Sequence, residues 1–182
     1  MAGSVLQTDV SIRTELLRLM LELRRERGLT YLFITHDLAL AWVIADRIAV
    51  MYLGKLVETA GKRSLFARPR HPYTQALLGA VPQPHPRAER GQAVLAGDVP
   101  SPLAPPPGCR FHTRCPYAQD RCRIEEPRLR PAADGTGPDG TGADGHEVAC
   151  HFFETIPETA APALHRTVSP RLARRLALFD AA

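Results

Sequence analysis

The sequence predicts an α/β fold that gives way to a loop-rich, cysteine-bearing region, and three observations carry that prediction. Apolar residues Ile12, Leu16, Leu19, Met20 and Leu23 recur at spacings of three and four, which places them on one face of a helix. The run Leu29-Thr-Tyr-Leu-Phe-Ile34 is short, apolar and rich in β-branched or aromatic side chains, the pattern of a strand buried on both faces of a parallel sheet. Beyond Val81 the dense apolar runs stop and Pro, Gly and Arg take over, so one compact segment followed by a loop-rich tail is expected.

Each element has its own local signal. Asp9 reads as the N-cap of the first helix and Gly28 as the glycine that ends it. After the strand come Thr35-His-Asp37 and a second helix from Leu38 to Ala45. Arg47 to Tyr52 and Lys55 to Thr59 flank Leu53-Gly54, which predicts a hairpin. Short helices are expected from Lys62 to Ala67 and from Pro72 to Ala80, with Pro72 in the first turn, where its missing N–H costs nothing. Eight of the seventeen prolines fall between Pro82 and Pro107, which excludes regular helix or central strand there. Ala133 to Gly145 nearly repeats Asp-Gly-Thr-Gly without an apolar anchor and reads as a mobile loop. Val168 to Leu178 fits a short basic amphipathic helix or a disordered end equally well.

Composition narrows the setting more than the function. The chain has 182 residues, a formal charge of +4 and a pI near 9.1, but its arginines are scattered, as on a solvated basic surface rather than a nucleic-acid reader. Such a charge also suits the cytoplasmic face of a membrane, where anionic lipids attract it weakly. Met1 to Asp9 has no secretory pattern, and the longest apolar run, Leu38 to Ala45, is too short to cross a bilayer. A cytosolic chain is expected, and its four cysteines are then metal ligands or free thiols before they are disulfides.

Leu29-Thr-Tyr-Leu-Phe-Ile-Thr-His-Asp-Leu38 resembles the segment of ABC ATPases that ends in the switch histidine, and Ala45 to Glu58 resembles the next stretch of that superfamily. Pro69-Arg-His-Pro-Tyr-Thr-Gln-Ala-Leu-Leu78, Gly97-Asp-Val-Pro-Ser-Pro102 and Cys109-Arg-Phe-His-Thr-Arg-Cys-Pro116 are similar to the C-terminal region of the oligopeptide, dipeptide and nickel importer branch. The resemblance covers roughly residues 9 to 153. It implies residues 1–80 as the C-terminal part of an ABC ATPase nucleotide-binding domain, 81–153 as the transporter-type C-terminal region with its cysteines, and 154–182 as a basic tail.

The family pairs two ATP-binding subunits head to tail around ATP and Mg2+, and hydrolysis drives transmembrane permease subunits from the cytoplasmic face of the membrane. The resemblance therefore implies a catalytic role for His36, as donor toward the γ-phosphate and organiser of the attacking water. Asp37 is expected only to start a helix. Asp9 aligns with the aspartate that reaches across the subunit pair, although Leu6-Gln-Thr-Asp9 stands where the family has Ser-Ala-Leu-Asp, and helix capping accounts for it equally well. No Gly-x4-Gly-Lys-Ser/Thr loop, signature motif or magnesium aspartate with its neighbouring glutamate has a match, so a truncated subunit without ATPase activity of its own is expected. Peptide is the expected cargo, with nickel second.

Cys109, Cys115, Cys122 and Cys150 stand at C-x5-C-x6-C-x27-C, with His112, His146 and His151 nearby. Spacing alone divides evenly between metal binding and free thiols. The resemblance implies a four-iron, four-sulfur cluster on all four, with zinc as second choice and a structural or redox-regulatory role. Phe111 and Phe152 then either shield the site or simply pack. The alternative function is a free-standing metal-binding interaction module without ATPase activity; nucleic-acid binding is disfavoured, because no basic recognition helix is evident.

Overall fold

The computed structural model describes residues 3–80, 95, 97–132 and 145–158, with side chains in the first helix described from residue 15 onward. They fall into two compact units, residues 1–45 and 46–182.

In the first unit, α1 runs Gly3–Arg27. Asp9 therefore lies two turns inside the helix, not at its N-cap, which corrects the capping expectation. Gly28 follows with φ 63°, the left-handed conformation that ends a helix at no steric cost to glycine. The expected strand over Leu29 to Ile34 is not formed: these residues carry no regular structure, and Leu32 and Ile34 are 93% and 91% exposed. A strand exists through its neighbours' N–H and C=O groups, and none of the described residues of this unit forms one to pair with it. α2, Leu38–Ile44, forms as expected. Asp37 caps it, accepting the Leu40 N–H at 3.1 Å, and Arg24 Nη1 of α1 donates to the Ile44 carbonyl at 3.4 Å.

The second unit is built on an antiparallel sheet in the order β1-β2-β4-β3. β1, Arg47–Tyr52, and β2, Lys55–Gly61, make the expected hairpin. Its turn places Leu53 at φ 44° and Gly54 at φ 77°, the two positive angles that a two-residue turn matched to strand twist requires. Between Val50 and Met51 the register slips, because Val57 is an extra residue on β2. Its carbonyl accepts the Ala149 N–H at 2.8 Å, which joins the hairpin to a distant part of the chain. β3, Arg130–Pro131, and β4, Glu147–Val148, complete the sheet and were not legible in the sequence. Two residues carry no periodicity.

α3, Lys62–Ala67, and α4, Pro72–Gly79, match the expected short helices. α5, Asp120–Ile124, has no counterpart among the expected elements. Residues 97–107 form turns and bends without helix or strand, as their prolines require. The expectations for residues 81–94, for the Asp-Gly-Thr-Gly loop and for Val168 to Leu178 lie outside the described residues.

Two apolar clusters hold this unit. Val50, Tyr52, Val57, Ala60, Leu65 and Phe111 form one; Ala132, Val148, Cys150, Phe153 and Ile156 form the other. In the first, Phe111 meets Tyr52 edge-on at 5.2 Å and lies 5.4 Å from Tyr73, which brings the cysteine-bearing loop onto the hairpin and α4.

Candidate functional site

His36 stands exposed in a bend, one residue before the Asp37 cap of α2. Thr35 Oγ1 accepts the Asp37 N–H at 3.0 Å, so the short connection Thr35-His-Asp37 is shaped by its own side chains. Asp37 is the helix-start acid that the sequence suggested.

The cysteine region is assembled by backbone bonds. Gly108, at φ 65°, lies so close to the start of the 122–124 segment that a Cβ there would stand 2.5 Å from the Cys122 carbonyl oxygen. Only glycine permits that approach, and the next residue exploits it: the Cys109 N–H donates to the Cys122 carbonyl at 2.8 Å. Successive turns follow, with His112 N–H to the Cys109 carbonyl at 2.9 Å and Cys115 N–H to the His112 carbonyl at 3.4 Å. His112 Nδ1 also bonds the Cys109 carbonyl, at 2.9 Å. Cys122 is carried, buried, on α5. Cys150 arrives from β4, and His151 Nε2 reaches the Glu125 carbonyl at the end of α5, at 2.9 Å. Arg130 secures the same arm, donating to the Cys150 carbonyl at 2.9 Å, pairing with Glu154 at 2.9 Å and lying 4.8 Å over the Phe153 ring.

The four thiols thus share one neighbourhood and act on one another. Burial pushes Cys115 up to about 12, and the proximity of Cys150, Cys109 and Cys122 adds to that. Burial likewise raises Cys150 to about 11, with Cys109 and Cys122 contributing, and raises Cys109. Against burial, three sulfurs each accept a backbone N–H from the residue two positions on: Cys109 from Phe111, Cys115 from Tyr117 and Cys150 from Phe152, the last at 3.5 Å. Such bonds favour thiolate over thiol. Phe111 is therefore a packing residue by its ring and a sulfur partner by its backbone. Among the described residues, however, no group of three or more His, Cys, Asp or Glu side chains is arranged as it stands to hold a metal ion. All four cysteines are free of disulfides.

Sequence reasoning passed over a second polar centre. Glu58 on β2 is buried, and its carboxylate accepts the N–H groups of Arg70 at 2.8 Å and His71 at 3.0 Å and meets His146 Nε2 at 2.7 Å. His71 is fully enclosed; burial lowers its pKa from 6.5 to about 4, with Glu58 opposing. A neutral imidazole suits its position as N-cap of α4, where Nδ1 accepts the Tyr73 N–H at 3.0 Å. Gln75 Nε2 then joins Pro69 and Pro157 by their carbonyls at 3.1 and 3.2 Å, and Arg70 pairs with Glu158 at 2.7 Å. The segment Pro69 to Gln75 is a hub for three distant stretches of chain. The sequence around Glu58, Lys-Leu-Val-Glu-Thr over 55–59, carries no signal that sets this carboxylate apart.

The site thus joins a hairpin, the His71 entry of α4 and a cysteine loop folded onto them. Residues 57–122 match the family described as the oligopeptide/dipeptide transporter, C-terminal region. It is 45% identical over 170 residues, 93% of its length, to a probable peptide ABC transporter ATP-binding protein of Sinorhizobium fredii. It is 48% identical over 147 residues, 80% of its length, to the oligopeptide transport ATP-binding protein AppF of Bacillus subtilis. With the dipeptide transport ATP-binding protein DppF of Haemophilus influenzae it shares 46% over 127 residues, 70% of its length. The chain spans 43%, 42% and 39% of these relatives, less than half of each. Among the described residues no helix is long and apolar enough to cross a membrane.

Proposed function

We propose that this chain is the C-terminal part of the ATP-binding subunit of an ABC importer for oligopeptides or dipeptides. The observation that carries the reading is similarity over 93% of the chain to a peptide ABC transporter ATP-binding protein, with the Pro69 to Gln75 hub inside the matched family region. Residues 1–80 then belong to the nucleotide-binding domain, 81–153 form the transporter-specific region and 154–182 a basic tail. The subunit works at the cytoplasmic face of the membrane with permease subunits and a second ATP-binding subunit.

In this reading ATP and Mg2+ are held by a phosphate loop and acidic residues that have no match here. His36, exposed beside the start of α2, donates a hydrogen bond toward the γ-phosphate and orders the attacking water. Asp9 is the residue that serves the second subunit across the pair. Fusing a phosphate-loop half from the Sinorhizobium fredii relative to this chain tests both the reading and the role of His36. Magnesium-dependent hydrolysis is expected, and His36→Ala should cost about 2 kcal/mol or more of transition-state stabilisation, the scale of one lost preorganised donor. Unchanged hydrolysis returns His36 to a helix-start residue.

For the cysteines we propose one four-iron, four-sulfur cluster on Cys109, Cys115, Cys122 and Cys150, with zinc as the second choice. Four thiols in one neighbourhood and three N–H donors aimed at their sulfurs support it. Bound there, it would tie the cysteine loop, α5 and the Cys150 arm into one unit. Anaerobic purification with metal and sulfide analysis decides: iron with acid-labile sulfide supports the cluster, stoichiometric zinc replaces it, and neither leaves ordinary thiols.

A further inference from the structure

Glu58 and His146 stand beside the arm that brings Cys150 to the other cysteines. Three of the four cysteines lie on one continuous stretch, 109–122, closed by its own turns and by the Cys109 to Cys122 backbone bond. Cys150 arrives separately, behind a two-residue strand that shares only two register pairs with β2 and two with β3. A ladder that short is marginal on its own. At its entrance stands His146, whose Nε2 lies 2.7 Å from the carboxylate of Glu58, a side chain 0% exposed. The backbone N–H groups of Arg70 and His71 donate to the same carboxylate and anchor it to the entry of α4. The His146 carbonyl accepts the Ala132 N–H at 2.9 Å, so β3 is drawn to the same point.

We propose that Glu58 and His146 form a buried latch that seats Cys150 against the other three cysteines, with Glu58 as a positioning residue for the metal centre. Burying a carboxylate is costly and adds little net stability even when it is paired, so what such a pair supplies is a fixed register. The register in question is that of β4 on β2. A one-residue slip would turn its side chains to the opposite face and withdraw the Cys150 sulfur. The role toward metal rests on the proposed cluster; the seating of Cys150 does not, and the two are tested separately.

The test uses the full 182-residue chain with Glu58→Gln and His146→Ala. In the metal-free protein, N-ethylmaleimide alkylation of each cysteine is followed by peptide mass. Both variants are expected to speed alkylation at Cys150 about tenfold relative to Cys122, and to lower retention of iron or zinc roughly 10- to 100-fold. An unchanged Cys150 to Cys122 ratio in both variants overturns the latch, and so does equal acceleration at all four thiols, which marks general loosening. If Glu58→Gln fails to fold, the ratio in His146→Ala decides alone. If the wild-type chain retains neither metal, the cluster reading falls, while the alkylation ratio still accepts or rejects the seating of Cys150.

Discussion

Residues 29–34 and the hairpin of β1 and β2 are both apolar stretches flanked by turn signals, and they end in opposite states. Leu32 and Ile34 are almost fully exposed, whereas Val50, Tyr52, Val57 and Ala60 are buried. The difference lies in where the hydrogen-bond partners come from. A hairpin carries its partner two residues away, so pairing costs little loop closure and proceeds within the segment. A strand of parallel type needs neighbours from elsewhere in the sequence, and within its unit the described residues contain none. Apolarity decides that a segment wants burial; only a partner delivers it.

The largest expected effect probes the buried side of this contrast. Phe111 is 1% exposed and joins the cysteine loop to the hairpin and α4, so Phe111→Ala should destabilise the second unit by about 3–5 kcal/mol. Urea denaturation followed by tyrosine fluorescence measures it. A loss below about 1 kcal/mol would show that the loop and the hairpin fold independently.

Next comes acid sensitivity at the hub. His71 has a folded pKa of about 4 against 6.5 when unfolded, so the unfolded chain takes up the extra proton. The contribution is present above pH 6.5 and is lost as pH falls toward 4, by on the order of 3 kcal/mol in all. His71→Asn keeps a capping oxygen and removes the titration. Its stability should fall less steeply than wild type between pH 7 and 4.5, and parallel slopes would refute the buried neutral imidazole.

Smaller effects belong to the first unit. Asp37→Ala removes the cap of α2 and should cost about 1 kcal/mol locally, seen as faster amide exchange at Leu40 with the second unit unaffected. Smallest of all, Ile34→Ser should change stability by no more than about 0.5 kcal/mol, because an exposed side chain has little burial to lose. The same change should reduce self-association in sedimentation, since it removes apolar surface that water now meets. A loss of several kcal/mol would place Ile34 in a packed core and end the contrast.

Elements whose signals are local could be read straight from the chain. The hairpin, α2, α3 and α4 follow from turn residues, a capping aspartate and a proline in a first turn, each acting within a few positions. The family resemblance was equally legible, because it rests on strings such as Pro69 to Leu78 rather than on shape. Three features came from the three-dimensional arrangement instead. Leu29 to Ile34 is left unpaired, because pairing depends on groups outside the segment. Helix α1 runs back past Asp9 to Gly3, so the candidate cap lies inside the helix. The third is the Glu58 centre, whose partners lie 12, 13 and 88 residues away along the chain. No local pattern marks a carboxylate that will be satisfied from such distances; its burial is tolerable only once the fold has brought two backbone N–H groups and the His146 ring to it.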